Sequence, residues 1–167
     1  VIRDALIKAE NFYGKKYDVI IDLDVTSPLR DTEDIIKSLK KFLRTNSNNL
    51  LSVCKSRRNP YFNMIELKKN IPTLSKKIKK NILRRQDAPV VYDMNASIYI
   101  WKKKYLMKTN KLFSNKTTFY EMPFNRSIDI DSLHDLESVK YFMKWNSRSI
   151  NVDSIHAIKP SKFFLKK

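Results

Sequence analysis

The chain has a single glycine, Gly14, among its 167 residues. A backbone that cradles a triphosphate needs glycines so that its N–H groups can approach the phosphates closely. No glycine-rich phosphate loop is therefore present in this sequence. Cysteine is equally scarce: Cys54 stands alone, which excludes an internal disulfide and offers no metal-ligand spacing, and its apolar surroundings predict a buried thiol in a reducing compartment, the cytoplasm. No apolar run nears the roughly 20 residues of a membrane span. The start, Val1-Ile-Arg-Asp-Ala-Leu6, has neither the shape of a signal peptide nor an initiator Met, so the sequence reads as soluble with a cut beginning. Acidic residues are outnumbered, 17 against 34 Lys and Arg, for a net charge of +17.

What is present suits one ordinary domain, since 42% hydrophobic content is enough to bury a core at this length. The basic excess attracts polyanions such as nucleic acid or a nucleotide triphosphate, and Lys68 to Arg85 holds eight basic side chains and no acid. Because the lysines are spread along the whole chain among many Asn and Ile, a dedicated nucleic-acid surface is the weaker reading.

Val1, Ile2, Ala5, Leu6, Ala9 and Phe12 or Tyr13 recur at helical spacing up to Gly14. Tyr17 to Leu23 has the β-branched apolar centre of a buried parallel strand covered on both faces, and Pro28 ends it. Asp31 or Thr32 can cap a helix whose stripe is Ile35, Ile36, Leu39, Phe42 and Leu43, closed by 46–49. Leu50 to Cys54 is the next strand, giving a βαβ unit with a right-handed crossover. Further on, the pattern predicts a turn at 57–60, a strand at 62–67, a polar excursion at 68–81 and a break at 87–89. Strands at 96–101 and 117–122, a short helix at 103–108 and a helix at 132–145 follow, before a tail from 146 to 167 of weak periodicity. This order specifies an α/β three-layer sandwich, α/β/α, with a mainly parallel sheet. Ligands in such sheets sit beyond the strand C-termini, where Asp24 and the Thr26 to Arg30 loop lie.

The most informative segment is Arg126-Ser-Ile-Asp-Ile-Asp-Ser-Leu-His-Asp-Leu136. Ser132 and Asp135 form a capping box for the helix that follows. Capping does not account for Asp129 and Asp131, which precede it and share one side of an extended backbone. Such a pair at a strand end is favoured as two anions beside a cation, Mg²⁺ or Mn²⁺ holding phosphate oxygens.

Four segments resemble one family. Tyr17 to Arg30, ending Leu-Asp-Val-Thr-Ser-Pro-Leu-Arg, looks like a strand and "PTSPLR"-type loop; Arg84-Arg-Gln-Asp-Ala-Pro89 is similar to an "RRQD" segment. Tyr92-Asp-Met-Asn-Ala-Ser-Ile-Tyr99 resembles an "NGAIY" strand, and Ser127-Ile-Asp-Ile-Asp131 a metal-binding "DID" motif. Together, in order, they resemble the acylneuraminate cytidylyltransferases, which make CMP-activated sialic acids and related nonulosonic acids.

The resemblance implies a nucleotide-diphospho-sugar transferase-like (Rossmann-like) fold missing its first βα unit. Residues 1–145 would be the C-terminal two-thirds of the domain and 146–167 a tail. It implies CTP and a sialic- or legionaminic-type nonulosonic acid as substrates, Mg²⁺ or Mn²⁺ as cofactor, and a homodimer in the completed protein, with no membrane partner. It further implies Asp129 and Asp131 as metal ligands and Arg84 and Arg85 as catalytic donors to phosphate or the sugar carboxylate. Asp24, Thr26, Ser27, Arg30, Gln86 and Asn95 become substrate contacts. Two departures stand out: Asp24-Val25 replaces the usual Gln before Pro-Thr-Ser-Pro, and Ala96 stands where the motif has Gly, both in keeping with a legionaminic-acid branch. Without the βα unit, apolar sheet edge and helix faces are expected to be exposed, and transferase activity to be weak. The alternatives are a non-catalytic domain that binds a nucleotide sugar or a partner, and a basic nucleic-acid-binding module.

Overall fold

The computed structural model describes residues 1–79 and 82–149. Its centre is a four-stranded sheet in the order β1 (Val19–Leu23), β5 (Tyr92–Lys102), β2 (Asn49–Lys55), β6 (Thr117–Glu121). β3 (Ile65–Lys68) and β4 (Ile71–Leu74) form a separate two-stranded hairpin. The helices are α1 (Ile2–Tyr13), α2 (Thr32–Thr45), α3 (Lys103–Lys108) and α4 (Leu133–Ser149). Among the described residues no helix is long and apolar enough to cross a membrane.

The local signals set the helix ends. Gly14 closes α1 in the left-handed region at φ 61°, and Asn46 closes α2 the same way at φ 48°. Asp31 opens α2 with a reciprocal capping box: its carboxylate accepts the Asp34 N–H at 2.9 Å, and the Asp34 carboxylate accepts the Asp31 N–H at 3.1 Å. Ile35, Leu39 and Phe42 then face the sheet at helical spacing and meet Leu50, Ile98, Ile100 and Met122. Each fully buried member of this cluster contributes about 1.5–3 kcal/mol. Ile100 pairs with Ile21 on one side and Leu50 on the other, so an apolar row crosses three strands beneath α2.

The sheet is mixed, which corrects the mainly parallel expectation. β1 and β2 are not bonded to each other; β5 enters between them and runs antiparallel to both, leaving β2–β6 as the parallel pairing. The helix α2 therefore joins strands that share a direction but not a ladder. β1 is correspondingly an edge strand rather than one covered on both faces, and Ile21 and Leu23 are each 36% exposed. Of the excursion expected at 68–81, residues 80 and 81 lie outside the described residues, and 68–74 is more ordered than its polarity suggests. Lys69 and Asn70, at φ 51° and 63°, make a two-residue reversal that pairs β3 with β4. The strand expected at 62–67 is shifted into that hairpin, and β5 starts four residues before its expected position at 96.

α1 is tied down by charge. Arg3 donates from Nε to the Leu106 carbonyl at 2.6 Å, and the buried Glu10 accepts from the Tyr17 N–H at 3.0 Å and from Lys103 Nζ at 2.5 Å. Of the tail 146–167, residues 146–149 continue α4 and the rest lies outside the described residues.

Candidate functional site at the strand ends

β1, β2 and β6 end on the same edge of the sheet, and three segments converge there. The first is the loop after β1. Asp24 Oδ1 accepts from the Thr26 N–H at 3.1 Å and the Thr26 hydroxyl at 2.8 Å, and these bonds hold its carboxyl below the usual aspartate value. Arg30 clamps the loop to β5, donating from Nη2 to the Asp24 carbonyl at 2.6 Å and from Nη1 to the Ser97 carbonyl at 2.9 Å.

The second segment is an irregularity in β5. Leu51 pairs with Tyr99 and Val53 with Met94, so two steps along β2 match five along β5. Ala96 sits inside this bulge at φ 52°, a left-handed backbone that costs a residue with a Cβ roughly 1–2 kcal/mol. The bulge turns Asn95 inward, where it is 5% exposed. Ser52 Oγ donates to Asn95 Oδ1 at 2.6 Å, and Asn95 Nδ2 donates to Ser127 Oγ at 2.9 Å.

The third segment, Ser127 to Asp131, is irregular rather than the strand end assumed from its alternation. The Ile130 N–H bonds the Thr26 carbonyl at 3.0 Å, and Asp129 Oδ1 accepts a long bond of 3.5 Å from the fully buried Ser27. Just upstream, Arg126 reaches α2 through Asp34. Asp131 is exposed and leads into the α4 cap, where Ser132 Oγ donates to Asp135 Oδ2 at 2.6 Å. Among the described residues no group of three His, Cys, Asp or Glu side chains is placed to hold a metal by itself.

The structure thus brings Asp24, Thr26, Ser27, Arg30, Asn95 and Asp129 together. Arg84, Arg85 and Gln86 lie elsewhere, on and beside a short 3-10 helix at Arg85–Asp87. Arg84 is 72% exposed and faces Asp87 at 3.4 Å, while Arg85 Nη2 donates to the Arg57 carbonyl at 2.6 Å. Arg85 and Gln86 line a cleft of about 430 Å³ that also contains Lys55 and Asn59, and among the described residues no acidic side chain lines it. Lys55 pairs with Tyr92, three residues before Asn95, which puts cleft and cluster roughly 10 Å apart along β5.

Sequence reading missed Asp22 and Ser52. Asp22 lies directly opposite Tyr99, and burial, then Asp24, push its carboxyl up while Arg30 opposes. The Tyr99 phenol is raised by burial and by the nearby Asp24, Asp22 and Asp129. The signal was the alternation of Asp22, in β1, with Asp24 just past its end. Ser52, inside an otherwise apolar strand, carried a similar one. Cys54 is buried and unbridged, and burial, then Asp93, push its thiol up.

A mixed α/β domain with an acidic, hydroxyl-rich cluster at the strand ends and a basic cleft nearby is the class of protein the structure defines. The chain is 39% identical over 144 residues to the Post-translational flagellin modification protein B of Campylobacter coli, covering 86% of this chain and 60% of the relative. It is 38% identical over 143 residues, with the same two coverages, to the CMP-N,N'-diacetyllegionaminic acid synthase of Campylobacter jejuni subsp. jejuni serotype O:2. No family model matches. Over the part of them that it spans, the chain is thus similar to a flagellin modification protein and to a CMP-N,N'-diacetyllegionaminic acid synthase. The chain spans 60% of the length of these curated relatives.

Proposed function

We propose that this chain carries the acceptor-side and metal-side part of a cytidylyltransferase acting on CTP and a legionaminic-type nonulosonic acid. The observation that carries this reading is the convergence of the Thr26–Ser27 loop, the Asn95 bulge and Asp129 in a chain 38% identical to a CMP-N,N'-diacetyllegionaminic acid synthase. In the reaction, the anomeric hydroxyl of the sugar acid forms a new O–P bond to the α-phosphate of CTP. The bond between the α-phosphate and the β-phosphate oxygen breaks, and pyrophosphate leaves.

Two carboxylates suit Mg²⁺ or Mn²⁺, which takes the rest of its shell from water and phosphate oxygens rather than from an all-protein cage. Asp129 fits, since Ser27 gives it one long bond and leaves acceptor capacity, and Asp131 is exposed two residues on. The ion, when bound, neutralises phosphate charge. The chain's own groups do the rest. Asp24 orients the Thr26 hydroxyl, Arg30 fixes the loop that presents Thr26, and the N–H groups of Arg84 and Arg85 beyond those bonded to Asp87 and the Arg57 carbonyl offer planar donors to an oxyanion. The homodimer and the three-layer fold of the completed protein belong to the same proposal.

The test is CTP-dependent pyrophosphate release by this chain and by a version completed to the relatives' length, offered legionaminic, sialic and pseudaminic acids. Turnover by the completed version, greatest with legionaminic acid, and little by the 167-residue chain is the expected result. No turnover with any acid, alongside tight CMP-sugar binding, would make it a non-catalytic binding protein instead.

A further inference from the structure

Asn95 has no hydrogen-bonding capacity left for a ligand. A side-chain amide has two N–H donors and two acceptor lone pairs. Here Nδ2 donates to Ser127 Oγ at 2.9 Å and Met122 Sδ at 3.4 Å, and Oδ1 accepts from Ser52 Oγ at 2.6 Å and the Ser97 N–H at 3.4 Å. The proton order is fixed at both ends. The Ile98 N–H donates to Ser52 Oγ at 2.7 Å, so the Ser52 hydroxyl proton goes to Asn95; Ser127 Oγ donates to the Pro123 carbonyl at 2.9 Å, so it accepts from Asn95. A directed chain thus runs from the β5 backbone through Ser52, Asn95 and Ser127 to the turn before Asp129. The Asn95 carbonyl, at 3.4 Å, shares the single Ser27 hydroxyl proton with Asp129 Oδ1, at 3.5 Å, which joins the loop after β1 to the same point.

We infer that Asn95 is a positioning residue: it sets the Ser127–Asp131 segment against the Thr26–Ser27 loop, and Ser52, whose hydroxyl bonds Asn95 and the Ile98 N–H, acts on Asp129 through it. Ala96 is strained because the bulge has to aim the Asn95 amide at Ser127. A bond from Asn95 to substrate would require breaking one of these, leaving a buried polar atom unpaired at a cost that opposes binding. The use the acidic segment is put to rests on the reading above; the positioning itself does not.

The test is amide hydrogen exchange on this chain, read at Ile130, whose N–H bonds the Thr26 carbonyl, with the Asn48 N–H bond to the Lys116 carbonyl at 2.8 Å as control. In Asn95→Ala and in Ser52→Ala the Ile130 amide should exchange about tenfold faster than in the parent with the control unmoved. The double variant should add little to either, and Ser52→Thr, which keeps the hydroxyl, should restore slow exchange. Should Asn95→Ala not fold, Ser127→Ala removes the partner on the segment side and should give the same acceleration. Parent-like exchange at Ile130 in folded Ser52→Ala and Ser127→Ala overturns the inference. Mn²⁺ broadening of the Asp129 amide is the second readout: a titration about fivefold weaker in Asn95→Ala is expected, and identical titrations overturn the positioning role. Absence of broadening in the parent itself counts against the metal reading and leaves the exchange result to decide this one.

Discussion

Arg126 grips Asp34 with two parallel bonds, Nε to Oδ2 at 2.8 Å and Nη2 to Oδ1 at 2.9 Å, and the aspartate is wholly buried. The pair does two jobs. It completes the α2 capping box, whose N3 residue is Asp34, and it anchors the turn that immediately precedes Ser127. Helix start and acidic segment are thereby fixed to one another across the sheet end.

Removing one partner exposes how much the pair matters. Arg126→Met leaves Asp34 as an uncompensated buried charge and should cost about 3 kcal/mol, whereas adding Asp34→Asn should recover part of that loss. Burial pushes the Asp34 carboxyl up, but bonds from Arg126, the Asp31 backbone and Tyr120 outweigh it and the net displacement is downward. A depressed carboxyl stabilises the fold above the unfolded value, ordinarily 3.8, and loses that contribution as pH falls through the folded one. Urea midpoints from pH 7 to pH 2 check both statements: the parent should lose stability more steeply below pH 4 than Asp34→Asn/Arg126→Met.

Glu10 gives a second acid-sensitive contact, on the far side of the fold. Its bonds from Lys103 and the Tyr17 backbone lower its value from 4.5 to about 2. The contribution is complete above 4.5 and fades as pH drops toward 2, so α1 should loosen in that window. In Glu10→Gln this part of the pH dependence disappears. Exchange of the α1 amides between pH 5 and pH 2.5 reads it directly.

The helix caps were legible because their chemistry is local. Gly14, Asp31 and Asn46 each announce a boundary without reference to the rest of the chain, and the α2 stripe follows from spacing alone. Strand order was not legible in the same way. Nothing in Tyr17 to Leu23 or Leu50 to Cys54 says that a strand about 40 residues later slips between them. Asp24, Thr26, Ser27, Arg30, Asn95 and Asp129 were readable as one neighbourhood from motif resemblance. Ser52 was not, since a serine in a buried strand has no signature until its partner is seen. The bulge was hidden because alanine, unlike glycine, does not advertise a positive φ.

Ala96 supplies a prediction of its own. Glycine at this position relieves a left-handed penalty of roughly 1–2 kcal/mol and loses about 0.5–1 kcal/mol to the freedom of the unfolded chain. Ala96→Gly should therefore stabilise the protein by about 0.5–1 kcal/mol, while Ala96→Val, β-branched in the same conformation, should destabilise it by more than that. Thermal melts of the two variants decide the sign. A glycine variant less stable than the parent would mean that the Ala96 methyl has packing value exceeding its strain.

The two carboxylates of the acidic segment should behave in the opposite manner to Asp34, with little effect on stability and a large one on chemistry. Asp129 receives one long bond from Ser27, and Asp131 is exposed. Substituting Asn for either keeps shape and hydrogen bonding while removing charge, so unfolding free energies should stay within about 0.5 kcal/mol of the parent. Mg²⁺-dependent pyrophosphate release in a version completed to the relatives' length should fall at least about a hundredfold for each, because charge developing on phosphate loses its counterweight. Chelation of the unsubstituted protein should reproduce the loss, and Mn²⁺ should restore it. Full activity in Asp129→Asn together with insensitivity to chelators would remove the metal from this segment and return it to the role of a helix leader.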